Sequence, residues 1–216
     1  MQISLSDCGK RFNRDWIFRK FSRQFNAGMH YAITGPNGSG KSTLLQCIAG
    51  AVSLSEGKIE VCVHARPLPT AGDKSLIEPD EIFRYISIAA PYQEVIEEMT
   101  LLEFLSFHHK FKPFISGLSI PEIISIISLE KSSGKQIRYF SSGMKQRVKL
   151  AQAIFSNTPC VLLDEPCTNL DIDGINLYHR LISNYCSERM VIVSSNDIQE
   201  YGFCKEIINI MGYKAQ

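Results

Sequence analysis

The 216-residue chain has 44% hydrophobic side chains and a formal net charge of +1. That is enough apolar surface for one substantial core and too little charge to recruit nucleic acid or an anionic lipid surface. Its seven cysteines, Cys8, Cys47, Cys62, Cys160, Cys167, Cys186 and Cys204, are odd in number and lack C-x-x-C spacing. They read as reduced thiols, not as a disulfide framework or a zinc site. The N-terminus does not read as a signal peptide. No run of about 18 apolar residues reads as a membrane span, and the closest stretch, Gly117–Leu129, is broken by Pro121 and Glu122.

In chain order, the pattern predicts two short strands at Ile3–Leu5 and Trp16–Phe18, then a buried strand at His30–Thr34. That strand leads straight into G-P-N-G-S-G-K-S-T, Gly35–Thr43, which meets the pattern G-x-x-x-x-G-K-[ST] in full. Gly35, Gly38 and Gly40 let the backbone approach a phosphate closely, and Pro36, Asn37 and Ser39 complete the cradle. A helix over about Ser42–Ala49 presents its positive end to the anion. Lys41 reaches the β- and γ-phosphates, the Ser42 hydroxyl ligates Mg²⁺, and Thr43 adds a donor. Together these predict a nucleoside triphosphate site.

A strand follows at Lys58–Val63, then a polar connection over Arg66–Glu81 and a strand-like Tyr85–Ala89. Helical patterns cover Thr100–Lys110 and Ile120–Leu129, the second opened by a capping box from Ser119 to Glu122. His108 and His109 are adjacent on the first of these, face different sides and lack partners for a metal site. A helix is expected over about Ser142–Ser156. The core strand Val161–Leu163 then delivers Asp164 and Glu165 to its C-terminal end, where ligands bind in open α/β sheets. A helix at Ile172–Tyr185 and strands at Met190–Ser194 and Ile207–Met211 complete the chain.

Between the phosphate loop and the acidic strand lies F-S-S-G-M-K-Q-R, Phe140–Arg147, which resembles the signature sequence of ATP-binding-cassette (ABC) ATPases. The resemblance covers nearly the whole chain. It implies an α/β fold of the P-loop NTPase ABC type: a mostly parallel sheet flanked by helices, with an N-terminal antiparallel β subdomain and a small helical subdomain. The whole chain, 1–216, is then a single ABC ATPase domain, with a RecA-like core over 1–88 and 151–216 and the helical subdomain over about 89–150.

The same resemblance implies ATP and Mg²⁺ as ligands. Asp164 matches the Walker B aspartate that holds Mg²⁺ through its water shell, and Glu165 the general base or water-positioning residue. Ser141 and Gly143 match signature residues that contact the γ-phosphate bound by the opposite subunit. Phe12 stands where the family stacks an aromatic ring on adenine, with Trp16 as the alternative, and C-T-N-L-D, Cys167–Asp171, resembles the loop crossing the dimer seam. The implied partners are a second ABC ATPase subunit and a separate transmembrane permease, with no nucleic acid. The implied location is the cytoplasmic face of a membrane.

Two departures from the family pattern stand out. Asn196 replaces the switch histidine after the strand Met190–Ser194; its amide can donate a hydrogen bond but cannot titrate, which implies slow hydrolysis resting on Glu165. The glutamine expected near Pro91, a Mg²⁺ ligand in the family, is absent, and Gln93 is the nearest substitute. The alternatives are a soluble, non-transport ABC ATPase and a nucleotide-gated binding module with weak hydrolysis.

Overall fold

Alternation of apolar and polar side chains builds the first sheet. Ile3 and Leu5 of β1 (Gln2–Phe12) and Phe18, Phe21 and Phe25 of β2 (Asp15–Asn26) are buried. The two strands pair antiparallel from Gln2↔Asn26 to Phe12↔Asp15. Their turn uses Asn13 at φ 53°, a left-handed conformation that asparagine tolerates. Both strands run well beyond the short segments that periodicity marks. Register shifts between Leu5 and Arg11 break the alternation, as β-bulges do.

The computed structural model describes residues 1–64 and 74–214. The first part of the Arg66–Glu81 connection therefore lies outside the described residues. Its remainder carries β5 (Lys74–Ile77) and a 3₁₀ turn at Pro79–Arg84. With β4 (Glu56–His64), these strands complete an antiparallel sheet ordered β2-β1-β4-β5.

The second sheet is parallel, built from the near-continuous apolar runs that such burial demands. Its strands are β3 (His30–Thr34), β6 (Ile86–Ala89), β7 (Cys160–Asp164), β8 (Met190–Ser194) and β9 (Glu206–Asn209), in the order β6-β7-β8-β3-β9. β9 stops at Asn209, whose side chain caps a 3₁₀ turn at Ile210–Tyr213, so the expected strand over Ile207–Met211 is shorter. In register, Asp164 pairs with Ser194, and Ser194 with Ile33. The segments that follow β3, β7 and β8 consequently emerge side by side at one edge of the molecule.

One face of this sheet packs on α1 (Lys41–Ile48) and the antiparallel sheet, through Leu44, Leu45, Ile48, Leu162, Ile192, Phe18, Phe21 and Phe25. The other face, through Val161, Leu163, Val191 and Val193, packs on α2 (Leu101–Phe111), α3 (Ile120–Ile126), α4 (Ser142–Ile154) and α5 (Ile172–Tyr185). The Ser119–Glu122 capping box is formed in both directions. α3 ends sooner than expected because the chain turns left-handed at Ser128, φ 58°. A one-turn α6 (Ile198–Tyr201) follows β8.

His108 turns from α2 into this second core. Its ring hydrogen-bonds Ser156 Oγ at 2.9 Å and the Gln152 amide at 3.2 Å, while His109 Nδ1 accepts from the Phe114 N–H. Burial first, then the charges of Lys112 and His109, lower the basicity of His108 from 6.5 to about 4. Unfolding restores the ordinary value, so protonation favours the unfolded chain. The contribution of neutral His108 is complete above pH 6.5 and is lost as pH falls towards 4. Chemical denaturation of wild type and His108→Gln at pH 7 and pH 4.5 should show wild type losing up to about 2 kcal/mol more than the variant, allowing for partial solvent screening. Parallel losses in the two proteins contradict this account.

Candidate nucleotide site

The phosphate loop lies between β3 and α1. Gly40 sits at φ 103°, and a β-carbon there would overlap the Ile17 side chain, so both conformation and space demand glycine. The loop closes on itself through the Ser39 N–H to the Pro36 carbonyl, 3.0 Å. Pro36, Asn37 and Gly38 are exposed, whereas Ser42 and Thr43 are half-buried in the first turn of α1. No side chain caps α1, and its first turn carries no acidic residue. Its leading N–H groups are therefore oriented for an anion.

Lys41 is buried and folds back across the loop. Its ammonium donates to the carbonyls of Gly35 at 2.7 Å and Pro36 at 3.3 Å. Glycine 35 is also held from the other side. Its N–H donates to Asn196 Oδ1 at 3.0 Å, and Asn196 Nδ2 donates to Asn37 Oδ1 at 3.4 Å. Asn196 thus bridges the segment after β8 to the phosphate loop of its own chain.

Asp164 ends β7 and is 1% exposed. Among the described residues its Oδ1 is a buried polar atom without a hydrogen-bond partner, as is Ser39 Oγ. A buried carboxylate oxygen and a hydroxyl left unpaired beside a lysine loop fit a hydrated cation and a phosphate oxygen, the groups that would satisfy them. Glu165 adopts the left-handed conformation, φ 44°, a strain of the kind that clusters at active sites. Its N–H donates to the Ser194 carbonyl at 2.9 Å, which keeps it against the strand leading to Asn196.

Periodicity does not reveal Glu200, which is four residues past Asn196. The residue is 5% exposed, and its carboxyl group accepts from the Cys167 N–H at 2.6 Å. Glu165, Ser195, Asn196, Asp197 and Glu200 line one cavity of about 360 Å³. Burial, and then the charges of Asp197 and Glu165, push the Glu200 carboxyl up from the usual range. Burial likewise pushes the Cys167 thiol up to about 12, which leaves it a poor nucleophile.

The signature residues belong to a different surface. Ser141 caps α4, accepting from the Met144 N–H at 3.2 Å. With Gly143, Arg147, Asn169 and Asp171 it lines a cavity of about 450 Å³ that includes no residue of the phosphate loop. Gly143 packs closely, since a β-carbon would come 3.0 Å from the Asn169 carbonyl and need that carbonyl to give way slightly. Gln146 donates to the Pro166 carbonyl at 2.7 Å, and Arg147 reaches Asp171 at 3.5 Å. The signature helix is therefore fastened to the segment that follows Glu165.

Phe12 is 49% exposed, with the Lys10 ammonium 4.9 Å from its ring centre. Trp16 is flanked by Arg11 and Arg19, the nearer guanidinium 4.5 Å from its ring. Of the two rings, Phe12 has the face more available for stacking.

Gln93 closes a tight turn after β6. Its amide oxygen accepts from the Ala90 N–H at 3.2 Å, and its own N–H returns to the Ala90 carbonyl. Lys149 holds the same turn through the Pro91 carbonyl at 3.0 Å. This turn places Gln93 in a groove shared with Glu94, Glu97 and Lys145. Partial burial, and then the charge of Asp164, raise the pKa of the neighbouring Tyr92.

With this geometry in place, similarity to known proteins decides the family. The ABC transporter family model matches residues 18–168. The chain belongs to the ABC transporter family. It is 30% identical over 186 residues to the ABC transporter ATP-binding protein YybJ of Bacillus subtilis, covering 83% of this chain and 78% of that protein. It is 28% identical over 206 residues to the cytochrome c biogenesis ATP-binding export protein CcmA of Rhizobium meliloti, covering 94% of each.

Among solved structures, an ABC transporter ATP-binding protein from Pyrococcus furiosus superposes with a TM-score of 0.77 at 20% identity, over 100% of both chains. The ATP-binding cassette MJ0796, in a dimeric post-hydrolysis state with ADP and Pi, superposes with a TM-score of 0.78 at 23% identity, over 98% of this chain and 94% of that one. The fold is that of an ABC ATPase cassette, as the signature sequence implied.

Proposed function

We propose that this chain binds and hydrolyses ATP with Mg²⁺ as one of a pair of cassettes, and drives a separate transmembrane permease from the cytoplasmic face of a membrane. The observation that carries this reading is the separation of two half-sites on one chain. Gly35–Thr43 with Asp164 and Glu165 forms one; Ser141 and Gly143, in a cavity that includes none of those loop residues, form the other. A second cassette facing the first would join each half to its complement. No helix among the described residues is long and apolar enough to cross a membrane, so the spanning part is assigned to the permease.

In this mechanism the Lys41 ammonium exchanges the carbonyls of Gly35 and Pro36 for β- and γ-phosphate oxygens. The N–H groups at the start of α1 hold the β-phosphate. Phe12 stacks on adenine, and Ser141 of the facing cassette donates to the γ-phosphate. Ser42 and Asp164 hold Mg²⁺, which when bound neutralises charge on the phosphate oxygens. Glu165 orients the attacking water and takes its proton. Asn196 anchors Gly35 and shapes the same cavity without exchanging a proton.

The bridge from Asn196 to Gly35 and Asn37 also favours a second reading, a nucleotide-gated binder that hydrolyses poorly. Phosphate release by the purified chain with ATP and Mg²⁺ separates the two. The expected result is slow turnover that disappears in Lys41→Ala. A stable ATP-dependent dimer with no phosphate release sinks the ATPase reading in favour of the second.

A further inference from the structure

The turn that follows Glu165 is held by an acid that lies outside it. Glu165 leaves β7 in a left-handed conformation, φ 44°, and its carbonyl accepts from the Thr168 N–H at 3.2 Å. Inside that turn, the Cys167 N–H donates to Glu200, 33 residues further along the chain, at 2.6 Å. We propose that Glu200 is a positioning residue for hydrolysis. It clamps the Cys167 peptide, and through it the Glu165 turn, to the segment that carries Asn196.

Both ends of this clamp are fixed. The Glu200 carbonyl accepts from the buried Tyr178 hydroxyl at 2.7 Å. Its N–H donates to the Asp197 carbonyl, and Asp197 caps α6 by accepting from the Gln199 N–H. Ser195, which lines the same cavity as Glu200, is itself held by its N–H on the Ile33 carbonyl of β3. Glu200 therefore ties the segment leaving β7 to the segment leaving β8, which Ser195 in turn joins to β3.

Electrostatics argues against a role in general stability. Glu165 and Asp197 both disfavour a third carboxylate here, and a buried carboxyl is costly unless its bonds are made. An apolar side chain of similar size would avoid that repulsion but would leave the Cys167 N–H without its acceptor. What the carboxyl supplies is a defined position for the turn, and hence for the Glu165 side chain relative to Asn196 and the phosphate loop.

The inference rests on the ATPase reading above. The test measures kcat and KM for ATP in wild type, Glu200→Ala and Glu200→Gln, together with hydrogen exchange at the Cys167 amide. Glu200→Ala should lower kcat by about 10- to 100-fold, the scale of a small misplacement of a reacting group, with KM for ATP little changed. Glutamine offers an amide oxygen to the same N–H, so Glu200→Gln should recover most of the loss. The Cys167 amide should be protected in wild type and Glu200→Gln, and exposed in Glu200→Ala. If the alanine variant does not fold, Glu200→Leu fills the space without an acceptor and carries the same expectation.

An alanine variant with wild-type kcat overturns the proposal. So does a glutamine variant as impaired as alanine, or a wild-type Cys167 amide that exchanges freely. Absence of turnover in wild type overturns the ATPase reading, and this inference with it; wild-type turnover that is indifferent to residue 200 overturns the inference alone.

Discussion

Glu165→Gln should lower ATP turnover by about 10²- to 10⁴-fold, the usual contribution of a general base, and leave an ATP-bound dimer that persists through gel filtration. Glutamine keeps the size of glutamate and, on the same backbone, the N–H bond to Ser194. It loses only the capacity to take a proton from water. Lys41, Ser42 and the N–H groups of the loop are untouched, so ATP affinity should hold while the step that separates the cassettes is blocked. Single-turnover phosphate release with light scattering on the same samples reads both consequences. A variant within about threefold of wild type would mean that Glu165 is not the base, a general base being worth far more. Asp197 and Glu200, the other acids lining its cavity, would then be the groups to test.

The largest effect on stability should come from Arg189, just before β8. Its guanidinium fans across the C-terminal end of α4, donating to the carbonyls of Ile154, Ser156 at 2.9 Å and Thr158 at 2.7 Å, and to Thr158 Oγ1 at 2.8 Å. Helix C-terminal carbonyls have no partner within the helix, and the negative end of the dipole favours a cation. Burial lowers the pKa of Arg189, yet arginine stays charged and so cannot escape the cost by releasing its proton. Arg189→Met should destabilise by about 3–5 kcal/mol, because the part-buried Ile154 and Thr158 carbonyls lose the guanidinium donor and the Ser156 carbonyl keeps only the Thr158 N–H. That corresponds to a fall in Tm of about 10 °C for a domain of this size. Arg189→Lys should recover less than half, since an ammonium cannot reproduce the planar fan. A methionine variant within about 1 kcal/mol of wild type, the worth of one ordinary hydrogen bond, excludes this role for Arg189.

Much of the fold was legible locally. β3, β8 and α5 were expected at His30–Thr34, Met190–Ser194 and Ile172–Tyr185, the bounds the structure has. Their apolar periods and end signals are complete within each segment. β1 and β2 were under-read because bulges interrupt their alternation. That the Gln93 side chain closes the Ala90–Gln93 turn is a geometry that spacing to the next helix does not contain.

By itself, the sequence determined the phosphate loop and its following helix, and the strand that ends in Asp164 and Glu165. Each depends on neighbours a few residues away, whose backbone conformation and burial period local chemistry sets. Only the tertiary structure decided that Asn196 grips Gly35, 161 residues away, and that Glu200 grips Cys167. It also decided that Ser141 lines a cavity to which its own phosphate loop contributes no residue. The physical reason is the order of the parallel sheet. Placing β7, β8 and β3 side by side brings their exits together, and which side chains meet there follows from strand register, which no local period encodes.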